Sequence, residues 1–121
     1  MAVFFQTQAP QALLTAFNNA IALPANQAGA IDTWERVHHG GVDYYTHRSQ
    51  QYGRKAFFKP AIEIQNNQLA FYIMAAEKVP LTRDVYSYYA GHLVETFIRH
   101  FPTRFTLVQA TPNHAGQDAT F

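Results

Sequence analysis

The pattern of hydrophobic and polar positions changes its period twice along the chain. Residues 9–22 carry apolar side chains at helical spacing, and Pro10 suits the first turn of a helix. A second stretch with helical spacing opens at Thr82, a good capping residue, and runs to about Phe101. The sequence therefore predicts two amphipathic helices, one near each end of the chain.

Residues 33–49 alternate between two faces, which predicts a β-hairpin. Gly40 and Gly41 lie at its centre, and a Gly-Gly pair suits a two-residue turn because both positions need positive φ. With this turn, Trp34 pairs with His47 at the far end of the hairpin. One face of the hairpin then carries six candidate ligand-binding side chains, which are Trp34, Arg36, His38, Asp43, Tyr45 and His47.

Residues 56–76 predict a second hairpin with its turn at Asn66 and Asn67, since asparagine tolerates left-handed backbone. Apolar and polar side chains separate cleanly onto its two faces, and a register slip of one residue would destroy that separation. Pro60 cannot donate to a β-ladder, so its strand is predicted to lie at a sheet edge or to be bulged there. The apolar face is predicted to carry Ile62, Ile64, Phe71 and Ile73.

The element order completes the fold prediction. A last strand is predicted over residues 104–110, while Phe4 and Phe5 either form a short strand or pack the first helix onto the core. The resulting order α-β-β-β-β-α-β indicates an α+β fold. We expect one domain over residues 1–121, with a mainly antiparallel sheet of four to five strands and two helices packed on one face. Residues 111–121 are expected to form a polar C-terminal tail.

The distribution of charged residues indicates which surfaces of this domain a partner covers. Charged residues make up 14% of the 121 residues, against about 25% in a typical soluble domain. They are confined to the middle of the chain, apart from Asp118, since none precedes Asp32. Because the two ends of the chain carry almost no charge, we expect a partner to cover the surfaces that they form. A second copy of the chain is the simplest such partner. We therefore expect self-association into a homodimer.

Several classes of protein are disfavoured by what the chain lacks. There is no cysteine, which excludes disulfides and thiolate-bound zinc and fits a cytoplasmic protein. The longest apolar run, residues 69–76, is far shorter than the ~20 residues of a membrane span. No phosphate-binding loop, dinucleotide fingerprint or metal-binding His pair occurs, so no cofactor and no metal are expected.

Three groups of polar residues could carry chemistry. On the first hairpin, His38 opposite Asp43 resembles an oriented base, although a cross-strand ion pair on an exposed face is the simpler explanation. A stripe on the second helix either contacts a partner or is a solvated face held by local ion pairs. A basic stretch could bind phosphate, but it lacks a glycine-rich loop. The helix stripe consists of Tyr88, His92, Glu95 and Arg99, and the basic residues are Arg48, Arg54, Lys55 and Lys59.

These observations leave three functional hypotheses. The leading one is a non-catalytic binding or protein-interaction module acting as a homodimer. The alternative is a small-molecule-binding domain or an enzyme that uses the face of His38, Asp43, Tyr45 and His47, which requires a concave site. The third and weakest is nucleic-acid binding through residues 48–59, because a net charge of +1 offers little attraction for phosphate. Whether the chain catalyses any reaction stays open.

Overall fold

The alternating segments of the chain pair into one sheet. The computed structural model describes residues 1–112 and the backbone of residues 119–120. The strands are β1 (Ala2–Gln6), β2 (Trp34–His39), β3 (Val42–His47), β4 (Ala56–Glu63), β5 (Gln68–Ala75), β6 (Leu107–Thr111) and β7 (Ala119–Thr120). Six of them form an antiparallel sheet in the order β2-β3-β4-β5-β1-β6, and the short β7 pairs with β5 in parallel. The predicted α+β class with a mainly antiparallel sheet is confirmed.

Both predicted helices are present and pack on the same face of the sheet. They are α1 (Pro10–Ala22) and α2 (Arg83–His100), and Thr82 caps α2 by accepting a hydrogen bond from the amide of Val85 at 3.2 Å. Aromatic rings join the layers: Phe17 of α1 lies 4.9 Å from Tyr45 of β3, and Phe97 of α2 stacks 4.3 Å from Phe5 of β1. The core therefore lies between the sheet and the two helices.

The first hairpin has the predicted register. Gly40 and Gly41 form its turn with φ angles of 59° and 80°, values that favour glycine. Trp34 pairs with His47 and His38 with Asp43, as the spacing requires. The side chain of His47 therefore lies at the end of the hairpin that is far from the turn.

The second hairpin has a longer turn than predicted. A 3-10 turn spans Ile64–Asn66, and Asn67 follows in the left-handed region at φ 51°. Because this turn removes Ile64 from the ladder, its side chain is 72% exposed, and the prediction that it lies on the core face is wrong. Phe71 and Ile73 are fully buried, as predicted.

Pro60 lies in a strand that is interior to the sheet rather than at its edge. The strand β4 pairs with β5 along its whole length, but its ladder with β3 consists of the single pair Tyr45–Phe58. Pro60 lies beyond the end of that ladder, where the loss of one backbone donor is tolerated.

The strand count was underestimated because of the N-terminal segment. β1 lies between β5 and β6 instead of merely packing the first helix onto the core. β6 begins at Leu107 rather than at 104, since the amide of Arg104 turns back to the carbonyl of Phe101 at 3.1 Å. Of the predicted tail, Thr111 ends β6 and residues 119–120 form β7, while residues 113–118 and 121 lie outside the described part of the chain.

Candidate functional site

Three of the six predicted ligand-binding residues lie in the core. Trp34 and Tyr45 are fully buried, and His47 is only 5% exposed. The indole of Trp34 donates to Thr96 Oγ1 at 3.0 Å, and the hydroxyl of Tyr45 donates to the side-chain oxygen of Asn18. They are buried because both helices cover the hairpin face that was expected to be an open polar surface.

The other three residues form an ion cluster at the exposed end of the same face. Arg36 Nη2 donates to Asp43 Oδ2 at 2.5 Å, and His38 Nδ1 lies 2.8 Å from Asp43 Oδ1. The hydrogen bonds from Arg36 and then His38 lower the pKa of Asp43 below its ordinary value. The side chain of His38 is 68% exposed and that of Arg36 is 45% exposed, so the cluster lies on the surface. The structure therefore separates the predicted group into a core part and a surface part.

His47 occupies an aromatic environment beneath α2. Its ring lies 5.2 Å from Trp34, 5.0 Å from Tyr88 and 4.9 Å from His92, measured between ring centroids. The backbone amide of Ser49 donates to His47 Nδ1 at 3.2 Å. Since an amide N–H can only donate, Nδ1 is unprotonated, and the neutral ring carries its proton on Nε2.

A tight turn over residues 49–53 holds the backbone amide of Ser49 in place. The amide of Gly53 donates to the carbonyl of Ser49 at 2.9 Å, and the amide of Tyr52 donates to Ser49 Oγ at 2.9 Å. A Cβ atom on residue 53 would lie 2.4 Å from the Ser49 carbonyl oxygen, so the turn requires glycine there. The turn thereby fixes which nitrogen of His47 is left to donate.

The Nε2 atom of His47 is buried and has no hydrogen-bond partner. Within residues 1–112, it is the one buried side-chain nitrogen or oxygen in this condition. The neighbouring Thr96, by contrast, accepts from Trp34 and donates to the carbonyl of His92 at 2.7 Å. Native proteins satisfy most buried polar groups, so an exception requires an explanation.

Burial also decides the charge of this ring. Desolvation, with a smaller contribution from His92, lowers the pKa of His47 from 6.5 to about 4. The ring is therefore neutral near pH 7 and offers an N–H donor. A general base works best when its pKa is close to the operating pH, which does not hold for this side chain.

His47 lines a cleft that is the size of a small-molecule site. The cleft, called the His47 cleft below, lies between residues 30–33, the ring of His47 and the α2 side chains from Tyr88 to His100. Its volume is about 520 Å³, and small-molecule sites usually span about 300–1,000 Å³. A second hollow of about 490 Å³ adjoins it and shares Tyr88, His92 and Glu95 with it, so the two hollows are continuous along the exposed side of α2.

The charged groups of the cleft lie at its rim. Arg99 and Glu95 are 75% and 63% exposed, with Arg99 Nη1 3.9 Å from Glu95 Oε1. Asp32 is also exposed, on the opposite wall. Among the described residues, no group of three His, Cys, Asp or Glu side chains is placed to hold a metal ion.

The sequence marks two parts of this cleft separately, one on the first hairpin and one on the second helix. The sequence predicts His47 as a candidate ligand-binding residue, whereas it predicts the stripe of Tyr88 and His92 as a separate surface of the second helix. The structure brings them together, and it adds the wall of residues 30–33, which no pattern in the sequence marked.

The basic stretch is engaged in local contacts. Arg54 pairs with Glu35 at 2.7 Å, and Lys55 Nζ lies 5.8 Å from the centre of the Tyr52 ring. These contacts give an ordinary structural reason for two of the four basic residues. Nucleic-acid binding stays an untested prediction.

No family model matches the chain, and no match to it is found among curated proteins or solved structures. Of the helices in the described residues, neither is long and apolar enough to cross a membrane. Small α+β domains serve many functions, so the function of this chain has to be inferred from the chemistry of the His47 cleft.

Proposed function

We propose that this protein is a small-molecule-binding domain whose ligand occupies the His47 cleft. The observation that carries the proposal is the buried, unpartnered Nε2 of His47 beside a cavity of ligand size. A buried donor without a partner costs roughly 1–3 kcal/mol. A ligand with an acceptor atom removes that cost, whereas a purely structural residue at this position would be better apolar.

The state of the ring supports binding rather than proton transfer. With a pKa of about 4, His47 keeps its proton on Nε2 throughout the neutral range. It then serves as a fixed hydrogen-bond donor, which is the role of the few polar groups in a ligand pocket. The proposal retains His47 from the predicted face, and it replaces His38 and Asp43 with Tyr88 and His92.

Protein-observed NMR with a fragment library tests the proposal. Fragments that bind should shift amides in residues 30–33, at His47 and along Tyr88–His100. His47→Phe keeps an aromatic ring but removes the donor, and it should weaken such fragments about fivefold, since one hydrogen bond contributes about 1 kcal/mol. His38→Ala, on the same hairpin face but outside the cleft, serves as the control and should leave binding unchanged. Binding confined to other surfaces, or unaffected by His47→Phe, would contradict the proposal.

Self-association is a second candidate, favoured by the edge of the sheet. As far as the described residues go, β6 pairs only with β1, and its Leu107 is 51% exposed. Residues 105–111 carry no charge, although charged side chains commonly protect edge strands. Antiparallel pairing of two β6 edges would give a twofold dimer. Light scattering should then show a dimer that Leu107→Lys disrupts, and a monomer at high concentration would reject this candidate.

The proposed setting is the cytoplasm. A chain without cysteine gains nothing from an oxidising compartment, because it has no disulfide to form. Subcellular fractionation of the tagged protein tests this, and recovery in the secreted fraction would reject it.

A further inference from the structure

We infer that the ligand of the His47 cleft presents a carboxylate group, carrying a single negative charge, to the Nε2–H of His47. The inference rests on the proposed function and specifies the chemical class of the ligand. It follows from the direction of the free hydrogen bond, the charges around the ring and the orientation of α2.

The direction of the hydrogen bond restricts the ligand first. Because Ser49 donates to Nδ1, the only free group of the neutral ring is a donor. The ligand atom that meets it must be an acceptor, which excludes ammonium and guanidinium groups at that point. Carbonyl oxygens, ethers and oxyanions remain as candidates.

The charges around the ring favour an anion among these acceptors. The side chains of α2 that lie against the ring of His47 are Tyr88, Tyr89 and His92, and none of them carries a carboxyl group. The contribution of His92 to the pKa of His47 is to lower it, which is the effect of a neighbouring basic group and not of an acid. An anionic oxygen would make a charge-assisted hydrogen bond, about twice as strong as a neutral one.

The two carboxylates of the cleft do not oppose such a ligand. Glu95 is directed to solvent and lies near Arg99, while Asp32 is exposed on the opposite wall. Both lie at the rim, where water screens their charge. Arg99 lies on the same rim beside Glu95, and its charge, which is screened in the same way, offsets that of Glu95.

The orientation of α2 favours a single negative charge over a phosphate dianion. The cleft lies along the C-terminal half of α2, whose end carries the negative pole of the helix dipole. Phosphate groups usually bind at helix N-termini, where several backbone amides converge. Here the structure supplies one buried donor, which matches one carboxylate oxygen.

The rest of the cleft indicates the body of the ligand. The half-buried ring of Tyr88 offers apolar surface, so an aromatic or branched carboxylic acid fits better than a bare anion. The rings of Tyr88 and His92 lie against the ring of His47, whose Nε2 is buried. A ligand therefore reaches Nε2 only when a side chain of the cleft moves aside.

Matched acids and amides test the inference. Benzoate with benzamide, and acetate with acetamide, have nearly the same shapes and differ in charge, and inorganic phosphate supplies the dianion. Each is titrated into the protein with ring-labelled histidine, while the cleft amides and the His47 ring are followed by NMR. Benzoate should bind about fivefold more tightly than benzamide, because charge assistance about doubles the strength of the hydrogen bond. It should also raise the pKa of His47, because an adjacent anion favours the imidazolium.

The variants separate the possible outcomes. His47→Phe should abolish the preference for acid over amide, and His38→Ala should preserve it. Equal or tighter binding of the amides, or tighter binding of phosphate than of benzoate, would overturn the carboxylate inference while leaving a ligand site in place. If no acid shifts the cleft, the inference is wrong. If the fragment library also leaves the cleft unchanged, the proposed function fails with it.

Discussion

Acid should destabilise this protein in a pH window that His47 sets. Folding lowers the pKa of His47 from 6.5 to about 4, so the unfolded chain binds its proton more readily. The unfolding free energy therefore falls as the pH drops from about 6.5 to about 4, and it is highest above this window. Each pKa unit corresponds to about 1.4 kcal/mol, which gives a full effect of about 3 kcal/mol. About 2 kcal/mol of it falls between pH 7 and pH 5.

Urea unfolding at a series of pH values measures this effect. The wild type is compared with His47→Phe, which retains an aromatic ring but cannot titrate. All other titrating groups are common to both proteins, so the difference between the two curves isolates His47. We expect the wild type to lose about 2 kcal/mol relative to the variant between pH 7 and pH 5.

The comparison also contains the result that would refute the reasoning. If the two proteins lose stability in parallel, His47 has an ordinary pKa and its ring is hydrated. A steeper loss in the variant would contradict the sign of the linkage. A change of urea m-value with pH would show that the unfolding is no longer a simple two-state transition.

Three further predictions concern single side chains. Gly91→Ala should stabilise α2 by about 1 kcal/mol, or about 4 °C in Tm, because nothing lies within 4 Å of the added methyl group. A lower Tm of the variant in thermal unfolding would contradict the open space around residue 91. Thr96→Val should cost roughly 1–3 kcal/mol in urea unfolding, since it leaves the buried indole N–H of Trp34 unpaired, while Thr96→Ser should restore most of it. Arg36→Ala should cost less than about 1 kcal/mol and less still in high salt, because its ion pair with Asp43 is exposed; a larger, salt-independent loss would indicate a structural role.

The sequence predicted the local structure better than the assembly of the sheet. The period of the apolar residues gave both helices, and the Gly40–Gly41 turn gave the pairing of Trp34 with His47. Such features depend on neighbours along the chain. The place of β1 between β5 and β6 depends on contacts about 70 and 105 residues away, and a five-residue segment carries no sign of them.

The candidate site shows the same limit. The register correctly put Trp34, Tyr45 and His47 on one face, but polar neighbours such as Arg36 made that face look solvent-exposed. Only the packing shows that α2 covers the far end of the hairpin and leaves the turn end bare. The stripe of Tyr88 and His92 therefore became part of a cleft through tertiary contacts, which periodicity within one helix does not reveal.

The protonation of the His47 ring tests the central claim most directly. Nitrogen-15 NMR of ring-labelled protein distinguishes a protonated from a bare ring nitrogen, and His47→Phe assigns the signal. At pH 7 we predict a proton on Nε2, a bare Nδ1 that accepts from Ser49, and no second proton until the pH approaches 4. A proton on Nδ1, or an imidazolium already formed near pH 6.5, would contradict the claim that a neutral, buried His47 offers its Nε2–H group to a ligand.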